Sequence, residues 1–145
     1  MKQKFPFENE IRSTGLKVTE PRLKILSVFE KSTERHLSAE DVHDILKAQS
    51  VVVGMATIYR ALANFEKAGI LNKSTFDDGK AIYEINEGHH HDHIVCVDCG
   101  NVEEFVDEEI ERRQKKIANQ KGYSLKSHSL VLYGSCSECL GKVNK

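Results

Sequence analysis

The sequence has no apolar segment long enough to cross a lipid bilayer, and residues 1–20 lack the apolar core of a secretory leader. These absences predict a cytoplasmic protein without a membrane partner. An excess of either charge is absent too, because 21 lysine and arginine residues stand against 22 aspartate and glutamate residues. A net charge of −1 gives no global sign of nucleic-acid binding, so any such function must rest on a local arrangement.

Repeats and low-complexity segments are also absent. With 39% hydrophobic residues, a chain of 145 residues can bury one core or two small ones. A two-part chain is therefore plausible from length and composition alone.

Cysteine is scarce, and its placement is informative. The four cysteines form two CxxC pairs, Cys96 with Cys99 and Cys136 with Cys139, and none is left over. Two such pairs can supply the four thiolates of one tetrahedral zinc site. A thioredoxin-like redox pair and a disulfide are the alternatives. Zinc is favoured, because the two pairs complete one four-ligand shell and disulfides are uncommon in a reducing cytosol.

Histidine is concentrated just before the first cysteine pair, where residues 89–93 read HHHDH. If this run belongs to a strand over residues 90–97, its side chains alternate between the two faces of a sheet. His91 and His93 then point to one face, whereas His90 and Asp92 point to the other. Imidazole and carboxylate groups bind divalent metals, so one strand could supply two separate metal sites.

The first half shows helical periodicity in four short blocks. The second block begins at Thr19, two residues before Pro21, and the third at Ser38, whose spacing to Asp41 resembles a capping box. The fourth ends at Gly69, a residue suited to the left-handed conformation after a helix. The pattern predicts helices over residues 7–13, from 19 onward, and over 38–49 and 55–68.

A β-hairpin is predicted after the fourth helix, with strands over 70–76 and 81–85 around an Asp-Gly turn at 77–80. Three helices followed by a hairpin form a winged helix-turn-helix, in which the helix before the wing enters the major groove of DNA. The second half predicts a small α/β unit with strands over 90–97, 101–105 and 123–133 and a helix over 107–120. The fold class is therefore α+β, with two domains.

Four residues of the first half are candidate DNA contacts. Thr57, Tyr59 and Arg60 lie on the outward face of the fourth helix, where Arg60 can reach guanine or phosphate and Tyr59 a thymine methyl group. Lys17, in the loop before the second helix, can reach the DNA backbone or a minor groove. Taken alone, these residues fit a solvated helix face and a solvated loop lysine better. The winged-helix context favours DNA.

Three runs give the chain a resemblance to a known family: GLKVTEPR at 15–22, ATIYRAL at 56–62 and HHDHIVCVDCG at 90–100. Together, in this order, they resemble the ferric uptake regulator (Fur) family. The resemblance extends over nearly the whole chain. It implies a winged-helix DNA-binding domain over residues 1–86, a hinge near 86–88, and a metal-binding dimerisation domain over 87–145.

The resemblance also implies three metal sites. The family's structural zinc falls on the four cysteines already identified from their spacing. Its regulatory site falls on His36, Glu84, His91, His93 and Glu104, and its remaining site on His90, Asp92, Glu111 and His128. The alternative for the last set is a buried polar network.

The function that the resemblance implies is repression of iron-acquisition genes, with Fe(II) as corepressor and an A·T-rich palindrome in double-stranded DNA as operator. Mn(II), Co(II) or Zn(II) could replace Fe(II), because a shell of imidazoles and carboxylates accepts them all. Glu84 and Glu104 stand where peroxide sensors of the family place aspartates, which favours iron sensing. A zinc- or peroxide-responsive regulator remains the alternative. The expected assembly is a homodimer or a tetramer.

Two other classes of protein fit the sequence less well. A metal-dependent hydrolase is disfavoured, because the sequence shows neither HExxH nor a nucleophile triad, and no small-molecule substrate is expected. A zinc-stapled, metal-buffering protein that never contacts DNA is the other alternative, but it leaves the winged-helix half unexplained.

Overall fold

A computed structural model of the chain describes residues 8–88 and 90–143. The chain divides into two units, Met1–Gly88 and His89–Lys145. Among the described residues, no helix is both long and apolar enough to cross a membrane.

The first unit has four helices followed by a two-stranded hairpin, which is the order expected of a winged helix-turn-helix. Its elements are α1 (Glu8–Ser13), α2 (Glu20–Lys31), α3 (Ala39–Ala48), α4 (Met55–Lys67), β1 (Leu71–Thr75) and β2 (Ala81–Ile85).

Local hydrogen bonds set the ends of these helices. Thr19 accepts a bond from the backbone N–H of Arg22 (3.3 Å) at the start of α2. Ser38 and Asp41 form a complete capping box on α3, since each side chain accepts from the other residue's backbone N–H at 3.1 and 2.9 Å. Gly69 follows α4 with a φ of 84°, which glycine adopts without strain.

The core of the first unit lies between α2, α3 and α4. It excludes water almost completely, because seven aliphatic and aromatic side chains of these three helices are at most 1% exposed: Ile25, Leu26, Val42, Leu46, Ile58, Leu62 and Phe65. Burial of one such side chain stabilises the fold by roughly 1.5–3 kcal/mol. The buried face of α4 therefore anchors the helix, and its opposite face turns outward.

The hairpin pairs Leu71 with Ile85 and Thr75 with Ala81 in antiparallel register. Its turn is closed by Asp78, whose side chain accepts a hydrogen bond from the backbone N–H of Lys80 (2.9 Å). On the other side of β2, Leu37 forms an isolated antiparallel bridge with Tyr83. The residues that flank this bridge are consequently held close together.

The second unit is a three-stranded sheet with two helices. Its elements are β3 (Asp92–Cys96), β4 (Val102–Phe105), α5 (Glu108–Gln120), β5 (Val131–Gly134) and α6 (Ser137–Val143). The strand order is β4-β3-β5, with β4 antiparallel and β5 parallel to the central strand. The two units together confirm the predicted α+β class.

Two strand boundaries and one helix differ from the prediction. The first strand of the second unit begins at Asp92 instead of residue 90, and the last begins at Val131 instead of residue 123. The last strand is short because it pairs only with the four residues from His93 to Cys96. Helix α6 was not predicted. It is a seven-residue helix that begins between the two cysteines of the second CxxC pair.

Replacement of Leu62 by alanine tests the core of the first unit. The side chain is fully buried, so its loss should leave a cavity and lower the free energy of unfolding by about 2–5 kcal/mol. Urea unfolding followed by circular dichroism measures the change. Lys67→Ala, an exposed position of the same helix, is the control. Equal midpoints for the two variants would contradict this account of the core.

Candidate metal centres and nucleic-acid surface

The four cysteines meet at one end of the sheet of the second unit. Cys96 ends β3, and Cys99 lies in the turn that follows. Cys136 immediately precedes α6, and Cys139 lies in the first turn of that helix. The Sγ atoms of Cys96 and Cys139 are 3.7 Å apart, and those of Cys99 and Cys136 are 3.9 Å apart. All four thiols are free, so these distances describe no disulfide.

The sulfur spacing suits one tetrahedral ion. Sulfurs about 2.3 Å from a zinc ion stand about 3.8 Å from one another, whereas a disulfide needs about 2.05 Å. All four Sγ atoms lie within 4.8 Å of one another. The residues that the sequence selects as structural zinc ligands therefore fit that ion in number, type and spacing.

Cys96 and Cys139 differ in their readiness to ionise. The backbone N–H groups of Cys136 and Cys99 donate hydrogen bonds to Cys96 Sγ and lower the pKa of Cys96 to about 6. The hydrogen bond of Cys139 with Cys136, together with burial, raises the pKa of Cys139 to about 12. Four thiolates therefore do not coexist at neutral pH without a compensating charge, and a divalent cation supplies one.

A second cluster joins four residues from three parts of the second unit. Asp92 belongs to β3, Glu111 to α5, and His90 and His128 to irregular segments. His90 Nε2 lies 3.0 Å from Asp92 Oδ1 and 3.4 Å from Glu111 Oε2, and His128 Nε2 lies 3.3 Å from Glu111 Oε2. One ligand atom from each of the four lies within 4.8 Å of the others.

Asp92 is the residue that favours a metal ion in this cluster. Its side chain is 1% exposed, and its Oδ2 atom has no hydrogen-bond partner within residues 8–88 and 90–143. A buried carboxylate oxygen without a partner is costly. A set of two imidazoles and two carboxylates suits Zn(II) or Fe(II), which would satisfy that oxygen. The cluster borders a cavity of about 540 Å³, which is lined in part by His90, Glu111 and His128.

On the opposite face of β3, three residues form another group. Neighbouring residues of a strand point to opposite faces, so His93 lies away from Asp92. His93 pairs in register with Glu104 of β4, and His91 Nε2 lies 3.4 Å from Glu104 Oε2. The imidazole rings of His91 and His93 have their centroids 5.2 Å apart. These three are the second-unit members of the predicted regulatory set.

The first-unit members of that set, His36 and Glu84, also lie together. His36 Nε2 is 3.4 Å from Glu84 Oε1, and both side chains are buried. Their neighbours Leu37 and Tyr83 exchange two backbone hydrogen bonds of 3.0 and 2.8 Å, which bring the two side chains into contact. A buried imidazole and carboxylate are suitable ligands for a divalent metal.

The predicted DNA contacts all lie in the first unit. Tyr59 is 48% exposed on α4, and its hydroxyl donates a hydrogen bond to Glu40 Oε2 (2.7 Å). Arg60 is exposed and its guanidinium contacts Thr57 Oγ1 at 3.4 Å. The backbone carbonyl of Lys17 accepts a 2.7 Å hydrogen bond from Arg22, which holds the loop before α2.

Sequence reasoning did not select Glu40 or Arg22. Arg22 follows the Thr19 cap, so its place in the first turn of α2 was readable. Glu40 lies inside the capping box of α3, but its contact with α4 joins residues 19 positions apart. No local pattern reports such a contact.

Comparison with known proteins gives matches over most of the chain. Residues 13–133 match the Ferric uptake regulator family. The ferric uptake regulation protein of Bordetella parapertussis is 55% identical over 132 residues, which cover 91% of this chain and 95% of that protein.

Solved structures agree. The ferric uptake regulator of Francisella tularensis with iron has a TM-score of 0.82 and 46% identity, covering 87% of this chain and 96% of that one. The Helicobacter pylori ferric uptake regulator, reported to have three functional metal binding sites, has a TM-score of 0.79 and 32% identity, covering 92% and 89%.

Replacement of Cys139 by serine tests the cysteine cluster. We expect the variant to lose one equivalent of zinc per chain, and its second unit to unfold at a temperature lower by at least about 5 °C, because a structural zinc ion held by the four cysteines would contribute folding free energy. Elemental analysis and calorimetry measure the two effects. Ser135→Ala, next to the second CxxC pair, is the control. Full zinc content in Cys139→Ser would contradict the assignment.

Replacement of Asp92 by asparagine separates a metal site from a polar network. In metal-free protein the change should cost little, because it removes a buried charge that lacks a full set of partners. When Zn(II) is added beyond the equivalent that the four cysteines can hold, the wild type should gain further thermal stability that Asp92→Asn lacks. The exposed Asp98→Asn is the control. A large loss of stability in the metal-free variant, with equal responses to zinc, would favour the polar network.

Proposed function

The chain belongs to the ferric uptake regulator family, as its motifs predict, and we propose that it represses iron-acquisition genes with Fe(II) as corepressor. Proteins of this family are metal-responsive regulators of transcription and not enzymes. The observation that carries the proposal is the buried pairing of imidazole with carboxylate at His36 and Glu84, in the same unit as the outward-facing helix α4.

Residues 1–86 are proposed to bind DNA. The core fixes the inner face of α4, and Thr57, Tyr59 and Arg60 lie on the part of the helix that would face the major groove. Arg60 offers a fork of donors to guanine or phosphate, and the Tyr59 ring offers an apolar surface to a thymine methyl group. Lys17 is proposed to contact the backbone or an adjacent minor groove.

Residues 87–145 are proposed to bind metal and to form the dimer. A palindromic operator contains the same half-site twice, so a protein that binds both half-sites needs two copies of α4. The homodimer is the assembly that this requires, and a tetramer would pair two such dimers. We propose that the operator is an A·T-rich palindrome, and that the protein works in the cytoplasm, where bacterial DNA is.

We propose that one regulatory ion is bound by five ligand residues: His36, Glu84, His91, His93 and Glu104. Support comes from each unit separately, because His36 already contacts Glu84 and His91 already contacts Glu104, both at 3.4 Å. When bound, the ion would supply positive charge that draws both groups of ligands to one point. The ligand residues would then restrain the 86–88 segment between Glu84 and His91. We propose that this restraint sets how α4 is presented to DNA.

Energetics limit what this restraint can achieve. Metal changes DNA binding only if the affinity of the ligand residues for the metal is higher in the conformation that binds DNA than in the other conformations. A tenfold difference in metal affinity contributes about 1.4 kcal/mol. Shifting the equilibrium from 1:99 to 99:1 needs about 5.5 kcal/mol, which several ligands acting together can provide.

Iron is the proposed effector, with Mn(II), Co(II) and Zn(II) as possible substitutes. The donor set does not choose among them, because affinity for nitrogen and oxygen ligands rises toward zinc. Support for iron comes from the Francisella tularensis relative, whose structure contains iron. Glutamates at 84 and 104 argue against peroxide sensing. The cysteine cluster is proposed to hold structural zinc, and His90, Asp92, Glu111 and His128 an additional ion.

The experiment is anaerobic titration of duplex DNA with protein in the presence of Fe(II), Mn(II) or Zn(II), with the cysteine-bound zinc assayed separately. An A·T-rich palindrome is compared with a scrambled duplex at fixed salt. Selective binding that appears with Fe(II) or Mn(II) supports the iron-dependent repressor. Selective binding with Zn(II) alone would identify a zinc-responsive regulator, and no metal-dependent binding would overturn the proposal.

The double variant His91→Ala, His93→Ala should lose Fe(II)-dependent binding to the palindrome, because it removes two proposed ligands of the regulatory ion. We expect a loss of at least about tenfold in affinity. The fold and the cysteine-bound zinc should remain, as measured by circular dichroism and elemental analysis. Glu104→Ala should weaken the response in the same direction.

Glu103→Ala is the matched control, since Glu103 neighbours Glu104 on β4 and its side chain contacts Asn101 instead of a histidine. It should bind like the wild type. Retained Fe(II) dependence in the histidine variant would remove these residues from the regulatory site.

A further inference from the structure

One side-chain contact joins the proposed DNA surface on α4 to the neighbouring helix α3. The Tyr59 hydroxyl on α4 donates a 2.7 Å hydrogen bond to Glu40 Oε2 on α3. Tyr59 remains 48% exposed, so about half of its surface is accessible. The contact therefore restrains the ring without burying it.

The backbones on both sides of this contact are held firmly. Ala39, next to Glu40, is buried, and the capping box fixes the first turn of α3. Ile58, next to Tyr59, is fully buried in the core. With both helices anchored, the remaining freedom of Tyr59 is rotation of its side chain, and the hydrogen bond to Glu40 selects one orientation.

The contact is charge-assisted. The hydrogen bond from Tyr59 lowers the pKa of Glu40, so the carboxylate is ionised at neutral pH. The same bond raises the pKa of Tyr59, so the phenol keeps its proton. Hydrogen bonds of this kind are stronger than those between neutral groups. A negative charge consequently stays beside a helix that must approach phosphates.

We propose that Glu40 is a positioning residue for DNA recognition, which holds the Tyr59 ring in one orientation and thereby sets selectivity between DNA sequences. The inference rests on the proposed function. A fixed ring meets a thymine methyl group without first losing rotational freedom, and it cannot turn to suit a wrong base. Among the described residues, the side chain of Arg60 has one hydrogen bond, a long one of 3.4 Å to Thr57 Oγ1, so its restraint is weaker.

The carboxylate of Glu40 has a second effect that can be separated from the first. Its charge repels the phosphates of any duplex, so it weakens binding to operator and scrambled DNA alike. Orientation of the ring changes the ratio of the two affinities, whereas charge changes both affinities together. Variants that alter one property at a time therefore distinguish them.

The test compares Glu40→Ala, Glu40→Gln and Tyr59→Phe in the full-length, Fe(II)-loaded protein. Glutamine keeps a hydrogen-bond acceptor without the charge, and alanine removes both. Asp44→Asn is the matched charge control, because Asp44 lies one turn further along α3, is 80% exposed, and neighbours His43 instead of Tyr59. Affinities for the palindrome and a scrambled duplex are measured over a range of salt concentrations.

Glu40→Ala should lower the ratio of palindrome to scrambled affinity by about tenfold, a size typical of losing one correct base contact. Glu40→Gln should keep the ratio within about twofold while both affinities rise. Asp44→Asn should raise both affinities at most slightly and leave the ratio unchanged. The double variant Glu40→Ala, Tyr59→Phe should be no less selective than the worse single variant, because the two residues act through one bond.

A measurement without DNA tests the bond itself. Titration of the Tyr59 phenol by NMR should show its pKa raised in the wild type and returned toward the ordinary value in Glu40→Ala. An unchanged affinity ratio in Glu40→Ala, with a selective wild type, would overturn the role of Glu40 alone. A wild type that does not distinguish the two duplexes would overturn the proposed function, and this inference with it.

Discussion

Mutual repulsion among crowded ligand groups is the constraint on which the second unit depends. Its central strand β3 carries Asp92 toward one cluster, His93 toward another, and ends at Cys96 in a third. The four cysteine sulfurs lie within 4.8 Å of one another, and so do the ligand atoms of Asp92 and Glu111, so the ionised forms of each set repel. Asp92 is too deeply buried for water to screen its charge. A sheet of three short strands has little apolar core to offset this cost. Cations would turn the repulsion into attraction, which links the fold of this unit to metal.

The first unit depends on a different interaction. Helices α2, α3 and α4 share an apolar core that is closed to water, and the hairpin continues it. This unit therefore holds the shape of its outward face without help from an ion. His36 and Glu84 are an exception, as an imidazole and a carboxylate that are buried together. The proposed switch uses this difference, since metal can act on how a preformed DNA surface is presented.

A net charge of −1 is unusual for a chain that would approach a polyanion. Affinity must then come from a few well-placed groups and from bound metal, not from a general positive field. The bond between Tyr59 and Glu40 is consistent with this, because an ionised carboxylate beside α4 weakens contact with any DNA and leaves the discrimination between sequences to the orientation of the ring. Selectivity would follow from geometry, with Arg60 as the adaptable cation. Because the net charge is close to zero, DNA binding would also be sensitive to whether the metal sites are filled.

Many local features of this protein follow from the spacing of nearby residues in its sequence. The capping box at Ser38, the turn at Asp78 and the two CxxC pairs each depend on residues a few positions apart, and the structure has all of them where they were predicted. The residues of the metal clusters were selected through family motifs, and the structure groups them within each unit. Only the tertiary structure decided that β5 begins at Val131, that Asp92 keeps an oxygen without a partner among the described residues, and that Tyr59 contacts Glu40. These features depend on which segments, distant in the sequence, contact one another, and the periodicity of the sequence does not predict such contacts.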